Sequence, residues 1–181
     1  MNLNEIDIKR FYHIYFSLLD YTNEKYRITS KVKNLVTSDM INPQDISPIR
    51  EKLWENNEIL DEVVYTNPFG FSSSDLEVIN SWNNRVADKF ILFKHLKNYS
   101  IMMGGGKLYG VTGIVSPFSE MFPSFVLPLF VDAILIPFEG KIIYDSLLIP
   151  YNVSFGGGAK KGFNEEYRET KEKYGIITSL A

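Results

Sequence analysis

Residues 129–150 read LFVDAILIPFEGKIIYDSLLIP, and the folding of this stretch decides the class of the protein. Leu129–Phe138 and Lys141–Tyr144 are rich in β-branched and aromatic residues, and Glu139–Gly140 is the two-residue connection of a tight hairpin. Two antiparallel strands are therefore expected. A further strand is expected at Leu147–Phe155, where Pro150 restricts it to an edge or a bulge. Asp145 reads as an ordinary turn residue between them. The apolar run Phe125–Phe138 has 14 residues and is interrupted by Pro128, Asp132 and Pro137. A helix that crosses a bilayer needs about 20 apolar residues, so no membrane span is expected here.

Strand signals continue upstream. Leu108–Val115 reads as a strand broken by Gly110 and Gly113, and Pro117–Phe122 as a loop or a single helical turn. Phe90–Phe93 and Tyr99–Met103 flank Leu96–Lys97–Asn98, a second hairpin. Before residue 85 the period changes from two to between three and four. Ile8, Phe11, Tyr12, Tyr15, Leu18 and Leu19 form one apolar stripe, with a bend expected near Asp20–Asn23 and a continuation over Glu24–Leu35. Asn42 and Pro43 suit a helix start, and Ile46, Ile49, Leu53 and Trp54 form its stripe. Leu60, Val63 and Val64 mark a short helix that stops before Pro68. Ser74 with Glu77 fits a capping box that opens a helix through Leu76, Ile79 and Trp82. Downstream, Asn164 is placed to cap a last helix, Glu165–Tyr174, which Gly175 closes. The fold class expected is α+β, in one domain spanning 1–181. An N-terminal helical half (1–84) packs on a C-terminal, mostly antiparallel sheet (85–181) with a final helix.

Composition narrows the chemistry. The 181 residues are 45% hydrophobic and 23% charged, which is globular rather than disordered. There is no cysteine, which excludes disulfide frameworks, zinc–thiolate sites and cysteine nucleophiles. The net charge of −3 is too mild to point to nucleic acid or a membrane surface. Residues 1–80 hold 8 basic and 13 acidic side chains, and residues 81–181 hold 11 and 9. The mixed-charge N-terminus, MNLNEIDIKR, lacks a signal-peptide pattern, so a cytoplasmic location is expected.

Two constellations could carry function. The first is Gly156–Gly157–Gly158 followed by Lys160 and Lys161, a glycine-rich turn between a strand and a helix. Exposed N–H groups there, with lysines behind them, could receive a small anion. The phosphate-loop pattern itself is absent, because Phe163–Asn164 follow Gly162 where Lys-Ser/Thr would be required. The competing explanation is steric, namely sharp turns in which a side chain would clash, and it applies equally to Gly104–Gly105–Gly106. The second constellation is Asp132 with Glu139 and Lys141. Metal-dependent nucleases use carboxylates to hold Mg²⁺ and a lysine to steady the hydroxide or phosphate. Against this, Glu139 belongs to the hairpin tip. His13 and His95 lack metal-ligand spacing, and no Gly-x-Ser-x-Gly elbow is present. Aromatic and basic residues interleave in FILFKHLKNY (90–99), but the acidic chain lacks an RNA-recognition signature. Core packing explains that segment, as it does Trp54 and Trp82.

The stretch Ile136–Leu148, IPFEGKIIYDSLL, resembles a motif of small uncharacterised bacterial proteins, Leu-Pro-Phe-x-Gly-x-Ile-Tyr-Asp-Gly-Leu. The resemblance extends to Leu108–Val111, Phe155–Gly158 and Tyr167, and more loosely to Leu53–Trp54 and Trp82. Ser146 stands where the motif has glycine, which loosens the expectation of a tight positive-φ turn. The resemblance implies a stand-alone bacterial intracellular domain and no particular mechanism. With no complete catalytic pattern, the sequence favours a non-catalytic binding or regulatory module without a cofactor. Its partner would be a protein or a small anionic ligand at Gly156–Lys161, with neither membrane nor nucleic acid expected. The alternative is a Mg²⁺-dependent phosphodiester hydrolase built on Asp132, Glu139 and Lys141.

Overall fold

The computed structural model describes residues 1–37 and 42–180. The chain divides into two compact units, Glu5–Asn83 and Met1–Asn4 together with Asn84–Ala181.

The first unit is helical: α1 (Glu5–Tyr26), α2 (Pro43–Trp54), α3 (Glu58–Thr66) and α4 (Ser73–Ser81). The α1 stripe of Phe11, Ile14, Tyr15, Leu18 and Leu19 is fully buried. No break occurs at Asp20–Asn23, because this segment has helical partners. The Thr22 hydroxyl donates to the Leu18 carbonyl at 2.7 Å. The helix ends at Arg27, which turns left-handed with φ +52°. Hence the expected second helix over 24–35 does not form. Asn23 instead pins the irregular segment, accepting from Thr29 N–H at 3.0 Å and donating to the carbonyls of Thr29 and Val32. Trp82 lies 6.0 Å from both Phe11 and Trp54, and Tyr15 stacks on Trp54, so both tryptophans anchor this core. The cap of α4 is Ser72, whose Oγ accepts from Asp75 N–H at 3.2 Å, rather than Ser74.

The second unit comprises β1 (Val86–His95), β2 (Ser100–Gly104), β3 (Lys107–Val111), the short helix α5 (Phe118–Met121), β4 (Leu129–Phe138), β5 (Lys141–Pro150) and α6 (Gly157–Tyr174). The strands close into a barrel in the order β1-β2-β3-β5-β4, with β4 returning to β1. Every pairing is antiparallel except β3 with β5, which run parallel and meet at Val111 and Ile142. This is the connectivity of a small Greek-key barrel, which closes its edges against pairing with other chains. Register places Phe90 opposite Val131, Leu92 opposite Met102 and Met102 opposite Tyr109, all buried. Together they fill the interior, where the rings of Phe90 and Tyr109 meet at 5.8 Å. A second cluster covers the outer face of β1–β3. There Phe93, Ile101, Met103 and Leu108 pack with Tyr167 of α6. The aromatic residues of FILFKHLKNY are thus divided between two cores. After α6 the chain bonds to β3, with Ile177 N–H donating to Leu108 O and Gly110 N–H to Ile177 O, each at 2.8 Å.

Three strand expectations change. Strand β3 stops at Val111 rather than Val115. Lys141–Tyr144 and the start of Leu147–Phe155 are one strand that ends at Pro150. Asp145 is accordingly no turn residue: it lies inside β5 with 0% exposure. The two runs look separate in sequence because the register shifts between Ala133 and Leu135, opposite Leu148 and Tyr144. The bulge that absorbs the shift includes Ser146, at φ +74°. The positive φ is therefore present although serine replaces glycine. Helix α6, finally, begins two turns before the expected Glu165. Asn164 is an interior residue whose side-chain amide donates to the Lys160 carbonyl at 2.8 Å.

Candidate functional site

The first turn of α6 lies beside the end of β1. A cavity of about 310 Å³ there is lined by Phe93, Lys94 and His95 of β1, Ser124, Leu127 and Pro128 of the β3–β4 connection, and Lys160 and Asn164 of α6. Two lysines line it from different elements, and none of these eight side chains is a carboxylate. Lys94 Nζ sits 3.6 Å from the centre of the Tyr167 ring, a cation–π contact that holds the side chain along α6.

His95 is fixed at both ring nitrogens. Nε2 is 2.7 Å from the Phe122 carbonyl and Nδ1 is 2.8 Å from the Ser100 hydroxyl. A carbonyl only accepts, so Nε2 donates to it, while Nδ1 pairs with the Ser100 hydroxyl. His95 therefore ties the strand end to the β3–β4 connection, which forms one wall of the cavity. The other histidine, His13, lies edge-on to Phe71 at 5.7 Å, in the other unit.

Of the residues singled out from sequence for an anion, Lys160 lines this cavity and the others do not. Gly156 is the N-cap position of α6, and Gly157 and Gly158 are its first two residues. Lys161 is 80% exposed and faces Glu165 at 3.9 Å. Lys94, His95, Ser124 and Asn164 were not legible as site residues. Their only local signal is the basic character of FILFKHLKNY, and they meet Lys160 only once the barrel has closed.

The steric explanation of the glycine triplets holds for one of the two. At Gly104 an added Cβ would lie 2.5 Å from the Phe90 ring, and Gly105 and Gly106 take φ of +56° and +68° in the β2–β3 turn. At Gly156, Gly157, Gly158 and Gly162 a Cβ would meet nothing within 4 Å, and none of the four has positive φ. These four glycines answer neither a clash nor a turn.

The residues of the metal reading are not brought together. Asp132 lies within β4 between its partners Lys89 and Ile149, and its carboxylate accepts from the Tyr151 hydroxyl at 3.3 Å. Glu139 is at the tip of the β4–β5 hairpin with Lys141 just beyond it, and Phe138 pairs with Lys141. Six steps of strand at ~3.4 Å each put about 20 Å between Asp132 and Phe138, and Glu139 lies beyond that in the turn. Magnesium binds its oxygens at about 2.1 Å, so the two carboxylates do not share an ion. Among the described residues no group of three or more His, Asp or Glu is placed to hold a metal.

A larger groove, of about 810 Å³, lies in the helical unit along Asp20, Asn23, Glu24, Arg27 and Lys33. Two of its polar side chains, Asn23 and Asp20, are already used. Asn23 holds Thr29 and Val32, and Asp20 accepts the backbone N–H groups of Leu35 and Val36. No helix among the described residues is long and apolar enough to cross a membrane. Compared with protein-family models, curated proteins and solved structures, the chain matches none.

Proposed function

We propose that this protein is a non-catalytic, cytoplasmic binding module for a small anionic ligand, held in the cavity between the end of β1 and the start of α6. The observation that carries this reading is the pair Lys94 and Lys160, two cations from separate elements around one small cavity with no lining carboxylate. His95, hydrogen-bonded at both ring nitrogens, adds a fixed polar wall. Nearby, the first turn of α6 has no side-chain cap, so its N–H groups and the positive end of the helix favour negative charge. Cavities of about 300 Å³ are at the small end of ligand sites, which suits a phosphate-sized group better than a polymer.

The test is calorimetric titration with pyrophosphate at low ionic strength. Saturable binding is expected, weakened roughly tenfold or more by Lys160→Gln and by Lys94→Gln, since a hydrogen bond to a charged group contributes about 1.5–3 kcal/mol. Raising the salt to about 0.5 M should weaken it further. No saturable binding up to about 10 mM, or binding that neither substitution alters, would overturn the reading.

A further inference from the structure

Helix α6 is built unevenly. Over Gly156–Gly162 four of seven residues are glycine, and neither space nor backbone angle requires them there. Glycine inside a helix is less favourable than alanine because its backbone loses more freedom on ordering. The other local signals point the same way. The N-cap Gly156 offers no side-chain acceptor, and no acidic residue lies in the first turn. The first charged residues are Lys160 and Lys161, while the first carboxylate is Glu165. A helix start favours the opposite sign of charge. Packing does not compensate, because residues 156–162 are all exposed and the first contact with the barrel comes at half-buried Phe163. From there the helix is secured by Tyr167, packed on Phe93 at 5.3 Å under Lys94, and by the Ile177 bonds to β3.

We infer that the first two turns of α6, Gly156–Gly162, are a movable wall of the cavity that opens and re-forms while the rest of the helix, from Phe163 on, stays docked. Opening removes Lys160 and leaves Phe93, Lys94 and His95 accessible from that side. Closing brings Lys160 back and re-forms the helix N-terminus. The glycines keep the two states close in free energy, as a gate requires. For its ligand the inference rests on the anion reading above, whereas the mobility itself does not.

The experiment is hydrogen exchange on the full chain, without ligand, read residue by residue by NMR. The informative amides are those of Lys160–Phe163, since the amides before them have no partner inside the helix. They should exchange at least tenfold faster than the amides of Tyr167–Tyr174. The variant Gly157→Ala/Gly158→Ala/Gly162→Ala should slow them at least fivefold and leave the barrel strands unchanged. A smaller difference between the two halves, or a smaller effect of the alanines, would overturn the gate. Failure of the anion reading would appear separately, as absent pyrophosphate binding with the exchange pattern intact.

Discussion

Glu139 and Ser146 hold backbone angles that glycine or asparagine adopts more easily, with φ of +49° and +74°. Glu139 with Gly140, at φ +68°, forms a hairpin turn that requires positive φ at both central positions. Asparagine is the favoured residue at the first of them. Glu139→Asn should therefore stabilise the protein by about 0.5–1 kcal/mol, seen as a higher urea midpoint with unchanged slope. A lower midpoint would show that Glu139 compensates for its strain through other contacts. Asp145 and Asp132 make a second contrast. The first is wholly buried in the β5 bulge, and the second is half-buried with one long hydrogen bond from Tyr151. Asp145→Ala should cost about 2–3 kcal/mol, and Asp132→Ala less than about 1 kcal/mol. Equal costs would mean that burial at the bulge is not what sets the role of Asp145.

At the scale of elements, caps and glycines decide where helices begin. Ser72 caps α4 through Asp75 N–H, and its hydroxyl also donates to the Asp75 carboxylate at 2.6 Å. Ser74 lies inside the helix and meets Arg10 at its surface. Ser72→Ala should cost about 1 kcal/mol and Ser74→Ala no more than about half of that, compared by thermal unfolding. The reverse order would place the cap at Ser74. The same competition explains α6. The sequence places its start at Asn164 because asparagine is a good cap and the residues before it are glycine-rich. The chain instead continues the helix back to Gly157, where the backbone bond from Lys160 N–H to Gly156 O at 3.1 Å closes the first turn.

For the molecule as a whole, acid stability follows from charges in the helical unit. Lys25 donates to Glu58 at 2.9 Å and also to Glu62, and Arg10 donates to Asp75 at 2.7 Å. Hydrogen bonds from Lys25 and then Tyr26 hold Glu58 below the ordinary carboxylate range, and Lys25 and then Tyr21 do so for Glu62. At Asp75 burial pushes upward, but the Ser72 hydroxyl and Arg10 outweigh it. A carboxylate with a lowered folded pKa adds stability above its unfolded pKa, about 4, and loses it as the pH falls through the folded value. Asp20 has the opposite sign. Burial raises its pKa, so its contribution is present at low pH and lost as the pH rises through the raised value. With three groups against one, the urea midpoint should fall between pH 5 and pH 3, modestly because these groups are exposed or half-buried and screened by solvent, and Lys25→Gln should flatten the fall. A midpoint constant over that range would mean that the network adds nothing. The α+β class, the helical half, both hairpins and the two tryptophan anchors were legible in the sequence, because apolar period and turn residues act over a few neighbours. Only the tertiary structure decided the closure of the barrel, the merging of β5 through its bulge, the burial of Asp145, and the meeting of Lys94 with Lys160. These depend on register and on contacts between residues far apart in the chain, for which a local pattern carries no signal.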